Sequence, residues 1–160
     1  MDREDALRVL LSKLLTWEDA HASFDGAVDG IPPRSRGVRP EGAPHSPWQL
    51  VEHMRICQRD ILDFCRDPDY VEMRSQDYWP AGVAPPTEAA WDESIASFHR
   101  DRDALKALAA DSTADLFAPI PHGTGQTHLR ELVLVADHNA YHVGQLVLLR
   151  KLLEIWPVSE

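Results

Sequence analysis

The sequence predicts an all-α fold, a four-helix bundle with long crossover connections, in one domain that spans residues 1–160. Four segments repeat apolar residues at spacings of three and four, which is the pattern of one helix face, and no segment alternates convincingly with period two. The three connections between them exceed the roughly two to eight residues of a simple bundle, and each holds at least two prolines. A chain of 160 residues is typical of one domain with one core.

The first predicted helix covers about residues 3–24, and the second follows a strong start signal. Ser46 can cap this second helix, Pro47 suits its first position, and Gln49 completes a capping box. Asp67-Pro68 stops it. The apolar stripes are Leu7, Leu10, Leu11, Leu14, Trp17, His21 and Phe24 in the first helix, and Leu50, Met54, Cys57, Ile61 and Phe64 in the second.

The third predicted helix opens at Thr87, with Glu88 favourable in the first turn beside the helix dipole, and ends near Ala110. The fourth runs from Thr127 to Trp156. The stripe of the third helix, interrupted by Arg102, is Trp91, Ile95, Phe98, Leu105 and Leu108.

The long connections carry side chains that suit a binding site. Residues 67–86 include Tyr78 and Trp79, and residues 111–126 include His122. Long loops with aromatic side chains in a compact domain usually cover or build a site. We therefore expect the function at one end of the bundle.

Composition excludes several classes of partner. The formal net charge is −10, from 26 acidic and 16 basic residues. A surface this acidic repels phosphate backbones and anionic membranes. No apolar run approaches the roughly 20 residues of a membrane span, and the first five residues do not start a signal peptide. We expect a cytoplasmic protein with neither nucleic acid nor membrane as a partner.

The two cysteines fit the same compartment. Cys57 and Cys65 lie eight positions apart on one predicted helix, hence about 12 Å apart along its axis. A disulfide needs Cα atoms closer than about 7 Å, so these two cannot pair with each other. We interpret both as small apolar core residues.

The most informative feature is His138-Asn139-Ala140-Tyr141-His142 in the fourth predicted helix. Positions four apart share one helix face, and that face continues as Val135, Leu149 and Leu152, which we expect in the core. Buried imidazoles cost free energy unless their nitrogens find partners, and a divalent metal is the simplest shared partner. Two core histidines bonded to polar neighbours are the alternative.

His53 on the second predicted helix is the best third ligand. It lies about 60° from Leu50 on the helical wheel, between the core stripe and the boundary, where it can reach a neighbouring helix. Taken alone, a histidine there is more typical of a satisfied core or boundary residue. Beside the pair on the fourth helix, it completes a candidate three-histidine site.

The sequence lacks the complete motifs of two other kinds of metal site. A zincin peptidase needs Glu directly after the first His, where this chain has Asn139. A di-iron carboxylate bundle needs two Glu-x-x-His elements. Glu18-Asp19-Ala20-His21 fits one, but the fourth helix offers no second, because Glu131 is followed at three positions by Leu134.

With His53 on the second helix and His138-Asn139-Ala140-Tyr141-His142-Val143-Gly144-Gln145 on the fourth, the chain resembles the DinB/YfiT-like superfamily over nearly its whole length. The resemblance implies an up-down-down-up bundle in which three histidines hold a divalent metal, usually nickel or zinc, at one end. Carried over, these are His53, His138 and His142. Many members have His and Arg on either side of the last ligand, where this chain has Tyr141 and Val143.

The resemblance leaves the activity open between two classes. One is a metal-dependent enzyme that acts on a small electrophile, by transfer of a low-molecular-weight thiol or by hydrolysis, since a metal deprotonates a bound thiol and acidifies a bound water. Its pocket candidates are Asp60, Tyr78, Trp79 and His122. The other is a non-catalytic protein that binds metal or a small ligand. Polar groups converging on the metal would favour the enzyme, and a sealed site would favour the binding protein.

A second apolar face on the fourth predicted helix points to assembly. It lies away from His138, and its small residues would let another helix approach closely. Either the first helix or residues 25–45 cover this face, or a second copy of the chain does. The resemblance favours a homodimer. The face consists of Val133, Ala136, Ala140, Gly144 and Val147.

Overall fold

A computed structural model describes residues 2–16 and 19–157. Over these ranges it contains five α-helices, two short 3-10 helices at Pro33–Ser35 and Ser75–Tyr78, and no β-strand, which confirms the all-α prediction. One isolated antiparallel bridge joins Pro119 to Thr127. The α-helices are α1 (Arg3–Leu14), α2 (Phe24–Val28), α3 (Pro47–Arg66), α4 (Glu88–Ala110) and α5 (His128–Leu152).

The starts of the three long helices α3, α4 and α5 follow the sequence signals. Ser46 and Gln49 form the reciprocal capping box, in which each backbone N–H donates to the other side chain, at 3.1 and 3.2 Å. The Thr87 hydroxyl caps α4 by accepting from the Ala90 N–H, and the Thr127 hydroxyl caps α5 by accepting from the Arg130 N–H. These caps fix the register in which each helix presents its side chains.

The prediction of a single first helix to Phe24 is wrong. The helix α1 ends at Leu14, and Ser23 caps a separate short helix by accepting from the Gly26 N–H. A new N-cap starts a new helix axis, so the apolar stripe of the sequence is divided between two elements. Trp17 and Glu18, which the sequence placed in that helix, lie outside the described residues.

The helix α5 ends at Leu152 instead of Trp156, through a local backbone motif. Glu154 takes a left-handed conformation with φ 56°, and the Ile155 N–H donates to the Arg150 carbonyl at 2.9 Å. This closing pattern satisfies the last carbonyls of the helix and stops it. Leu152, the last helical residue, is 54% exposed, so its expected place in the core is wrong.

Helices α1 and α3 each pack against both α4 and α5, and α2 packs against α5. The core has two clusters of buried apolar side chains, one around Trp48, Phe24 and Phe98 and one around Leu11 and Leu105. Phe24 stacks on Phe98 with ring centroids 3.7 Å apart. None of the helices in the described ranges is both long and apolar enough to cross a membrane.

Two buried arginines attach irregular segments to this core. Arg8 on α1 donates to the carbonyl of Ala109 in the last turn of α4 and to those of Asp111 and Ala114 after it. Arg150 on α5 is 1% exposed and donates to the carbonyls of Gly26 and Ala27 in α2 and of Ile155 beyond α5. Charged donors satisfy carbonyls that would otherwise be buried without partners.

Candidate metal centre

The facing sides of α3 and α5 bring three imidazoles together. The Nε2 atoms of His53 and His138 lie 3.2 Å apart. The ring of His142 stands edge-on to both, with its centroid 4.7 Å from that of His53 and 4.5 Å from that of His138. His53 and His142 are buried and His138 is half-buried. The predicted juxtaposition of one histidine on α3 with the pair on α5 is present in the structure.

Hydrogen bonds fix which ring nitrogen is free in two of these histidines. Nδ1 of His53 donates to the carbonyl of Tyr78 at 2.7 Å, and Nδ1 of His142 donates to Oε1 of Gln145 at 2.8 Å. Each neutral ring carries one proton, so a protonated Nδ1 leaves Nε2 with a lone pair. An outer acceptor on one nitrogen is the usual support of a metal-binding histidine.

The nitrogen separation fits a shared cation. A tetrahedral zinc ion with Zn–N bonds of about 2.0–2.1 Å separates its nitrogen ligands by about 3.3 Å. The 3.2 Å between Nε2 of His53 and Nε2 of His138 is close to that distance. Together with Cys57, these residues form a group whose ligand atoms all lie within 4.8 Å of one another. The donor set therefore suits a divalent metal.

Burial keeps the imidazoles neutral. Desolvation is the largest effect on all three and lowers each pKa below its ordinary value near 6.5. For His138, desolvation and the adjacent His142 and His53 lower the pKa to about 4. A neutral imidazole has the lone pair that a metal needs, so the cluster is ready to bind at neutral pH.

Trp79 and His45 build one wall of the site. The Trp79 ring stacks on His53 with centroids 3.7 Å apart and planes 4° apart, and His45 stacks on the other side of Trp79 at 3.8 Å. The sequence predicted Trp79 as a pocket residue but did not predict His45 there. Its stacking partner lies 34 positions away, so periodicity alone cannot reveal the contact.

Asp60 and Tyr78 meet in a hydrogen-bonded cluster beside the histidines. The hydroxyls of Tyr78 and Tyr70 donate to the two carboxylate oxygens of Asp60, at 2.8 and 2.9 Å. All three side chains line a cavity of about 330 Å³ between α3 and the start of α5, which Arg130 and Glu131 also border. Burial raises the pKa of Tyr78 to about 12, with help from Asp60, so its hydroxyl stays a donor.

His122 is placed at the opposite end of α3. Its Nε2 approaches the carbonyl of Phe64 at 2.7 Å, and its ring stands edge-on to the Phe64 ring. Phe64 is eleven residues after His53 in the same helix, about 16 Å along the axis. The structure does not bring His122 to the three imidazoles.

Cys57 is the nearby donor that the sequence reading missed. Its Sγ lies 3.5 Å from Nδ1 and 3.7 Å from Nε2 of His53, one turn earlier in α3. The signal was present, because His53 and Cys57 have the same spacing of four as His138 and His142. Cys65 is likewise free and buried, two turns further on.

One comparison with known proteins finds a family match. The family model of the DinB superfamily matches residues 16–146, which is most of the chain and includes all three histidines. No curated protein and no solved structure gives a significant match.

The buried His138 makes the metal-free protein sensitive to acid. Its pKa is about 4 in the folded chain against 6.5 when unfolded, so only the unfolded state takes up a proton between those values. Stability present above about pH 6.5 is therefore lost as the pH falls towards 4. We expect chelator-treated protein to lose about 2 kcal/mol of unfolding free energy over this range, measured by urea titration.

A His138→Gln variant should show a smaller loss between the same two pH values, whereas His99→Gln should behave as the parent protein. His99 is the control because it lies outside the cluster and pairs with Asp25. Equal pH dependence in the parent and in His138→Gln would contradict the assignment to His138.

Proposed function

Because the chain belongs to the DinB superfamily, we propose that it binds one divalent metal ion, zinc or nickel, through the Nε2 atoms of His53, His138 and His142. The observation that carries this proposal is the 3.2 Å separation of two Nε2 atoms, on a buried His53 and a half-buried His138 whose pKa values desolvation lowers. His142 contributes a third ring, whose centroid lies 4.7 Å from that of His53 and 4.5 Å from that of His138 and which Gln145 orients. The same proposal includes an up-down-down-up course of α1, α3, α4 and α5, as the family resemblance implies.

We propose further that the metal serves an enzyme that acts on a small electrophile, by transfer of a low-molecular-weight thiol or by hydrolysis. A divalent ion on imidazole ligands supplies Lewis-acid activation of a thiol or a water. The chain contributes the cavity of about 330 Å³ lined by Asp60 and Tyr78, which has room for a small molecule. The three histidines do not line this cavity, and Tyr78 connects it to them because its backbone carbonyl accepts from His53. The Tyr78 hydroxyl donates its one proton to Asp60, which leaves its oxygen as an acceptor for a substrate group.

A non-catalytic metal-binding or ligand-binding protein is the second candidate. Trp79 covers one face of His53, and Sγ of Cys57 lies 3.5 and 3.7 Å from the two nitrogens of the same ring. A centre covered in this way suits a metal that is held for structure or sensing. The two candidates share the ligand set and differ in whether a substrate reaches it.

The ligand set makes the first test. Replacing any one of His53, His138 or His142 with Ala removes one of three ligands, and we expect zinc affinity to fall by at least about 100-fold. The measurement is chelator competition on protein purified without a histidine tag. His99→Ala is the matched control and should bind as the parent does. Unchanged affinity in all three variants would show that the metal lies elsewhere.

Metal removal tests the catalytic candidate. Chelator-treated protein should lose thiol transfer or hydrolysis on a panel of small electrophiles, and zinc or nickel should restore it, because only the metal generates a nucleophile near neutral pH. Activity that survives complete removal of metal rules out this mechanism. Metal binding without any turnover across the panel favours the non-catalytic candidate.

We also propose a homodimer formed through α5. Val147 of the predicted face packs against the core, and Ala136 and Ala140 line a groove beside residues 14–16 and 20–24. The exposed large apolar residues of α5 differ from the predicted strip and share only Val133 with it. This exposed surface consists of Val133, Tyr141, Leu148 and Leu152, with open space at Gly144.

A charge at the centre of this surface should separate the copies. Leu148→Glu places like charges together across a two-fold axis, and we expect a folded monomer in light scattering where the parent is a dimer. Lys106→Glu on α4 is a control that adds a glutamate away from this surface. A parent protein that is already monomeric at about 50 μM, a concentration suited to weak dimers, would contradict the proposal.

A further inference from the structure

A buried chain of amide hydrogen bonds joins α5, α3 and α4 beside the histidines. Nδ2 of Asn139 on α5 donates to Oε1 of Gln58 on α3 at 3.0 Å. Nε2 of Gln58 in turn donates to the backbone carbonyl of Phe98 in α4 at 2.7 Å. Both side chains are buried, so the chain of hydrogen bonds is shielded from water.

The carbonyl at the end of this chain fixes the direction of each hydrogen bond. A backbone carbonyl can only accept, so the amide nitrogen of Gln58 faces Phe98 and its amide oxygen faces Asn139. That oxygen requires a donor, and Asn139 supplies the nitrogen of its own amide. The two amides therefore fit together in one orientation.

The directed amide contact favours one position of α5 along α3. If α5 moved along α3, Nδ2 of Asn139 and Oε1 of Gln58 would both be buried without these partners, which costs free energy. Apolar side chains alone resist such a movement less, because the hydrophobic effect has no direction. The amide pair therefore acts on the register between the two helices.

The register that the amide pair favours is the one in which the histidines meet. Asn139 directly follows His138 in α5 and lies one turn before His142. Gln58 lies five residues after His53, about 7.5 Å along α3. The Nε2 atoms of His53 and His138 are 3.2 Å apart, and a slip of one helical turn, about 5.4 Å, would separate them.

Folding stability alone does not require an amide pair at this place. Oδ1 of Asn139 is buried and has no hydrogen-bond partner within residues 2–16 and 19–157. Replacing both partners of a buried hydrogen bond with apolar groups of the same shape can be neutral or stabilising. We propose that Asn139 and Gln58 are positioning residues, which raise metal affinity by holding His53 close to the histidines of α5. This inference rests on the proposed metal site.

A double variant separates the positioning role from a contribution to stability. Gln58→Met combined with Asn139→Leu keeps the approximate shape of both side chains and removes both amides together. We expect the metal-free double variant to unfold at the same urea concentration as the parent or at a higher one. It should nevertheless bind zinc at least about tenfold more weakly in chelator competition. Asn139→Leu alone leaves the Gln58 oxygen unpaired and should lower both stability and zinc affinity.

His128→Leu is the matched control, because it removes a different hydrogen bond between the same two helices. Nε2 of His128 on α5 donates to the backbone carbonyl of Cys65 on α3 at 3.2 Å. His128 lies ten residues before His138, about 15 Å along α5, so this variant should bind zinc as the parent does. The visible spectrum of bound Co²⁺, which reports the arrangement of its ligands, should shift in the double variant and stay unchanged in His128→Leu.

The outcomes distinguish this inference from the metal site on which it rests. A folded double variant with the zinc affinity and the Co²⁺ spectrum of the parent overturns the role of the amide pair and leaves the histidine site standing. Failure of the parent to bind zinc overturns both. Gln58→Leu combined with Asn139→Ala is the second double variant if the first does not fold by circular dichroism, and parent-like zinc affinity in it also overturns the proposal.

Discussion

The structure depends on keeping buried imidazoles neutral and hydrogen-bonded. His53 and His142 each use Nδ1 to donate to an oxygen, which leaves the Nε2 of each ring with a free lone pair. An imidazole without such a partner would be buried at a cost of a few kcal/mol, and a protonated one would repel its neighbours. The packing of α3 against α5 therefore requires an oxygen acceptor for each of these two imidazoles. The Tyr78 carbonyl serves His53, and the Gln145 side chain serves His142.

The acceptor for His53 comes from the connection between α3 and α4, so that connection is part of the site. Tyr78 provides its backbone carbonyl to His53 and its hydroxyl to Asp60, and Tyr70 donates to the other oxygen of the same carboxylate. Trp79 then lies flat on the His53 ring. The Asp60 carboxylate on α3 thus holds both Tyr70 and Tyr78 of the connection. The backbone of Tyr78, held in this way, orients the His53 imidazole, which lies two turns before Asp60 in α3.

Local signals predicted the features that are encoded locally. Side-chain caps at Ser46, Thr87 and Thr127 act within four residues, and the spacing of His138 and His142 needs only helical geometry. The sequence did not predict the end of α1 at Leu14, because the apolar residues keep their helical spacing as far as Phe24. The stacking of His45 on Trp79 depends on how a long connection folds back, which periodicity does not contain. Cys57 is buried, as its place in the apolar stripe predicts, but a stripe assignment does not consider its contact with His53 four positions earlier.

Because a backbone carbonyl accepts from His53, substitutions affect the support of His53 differently from that of His142. A side-chain acceptor, such as Gln145 for His142, is lost with a single substitution, but the Tyr78 carbonyl persists whatever residue stands at position 78. Its position depends instead on the side chains that hold the connection, foremost the Asp60 carboxylate between two tyrosine hydroxyls. Affinity at the cluster and order in the connection are therefore linked in both directions, since a ligand that orients His53 also favours the backbone that accepts its proton.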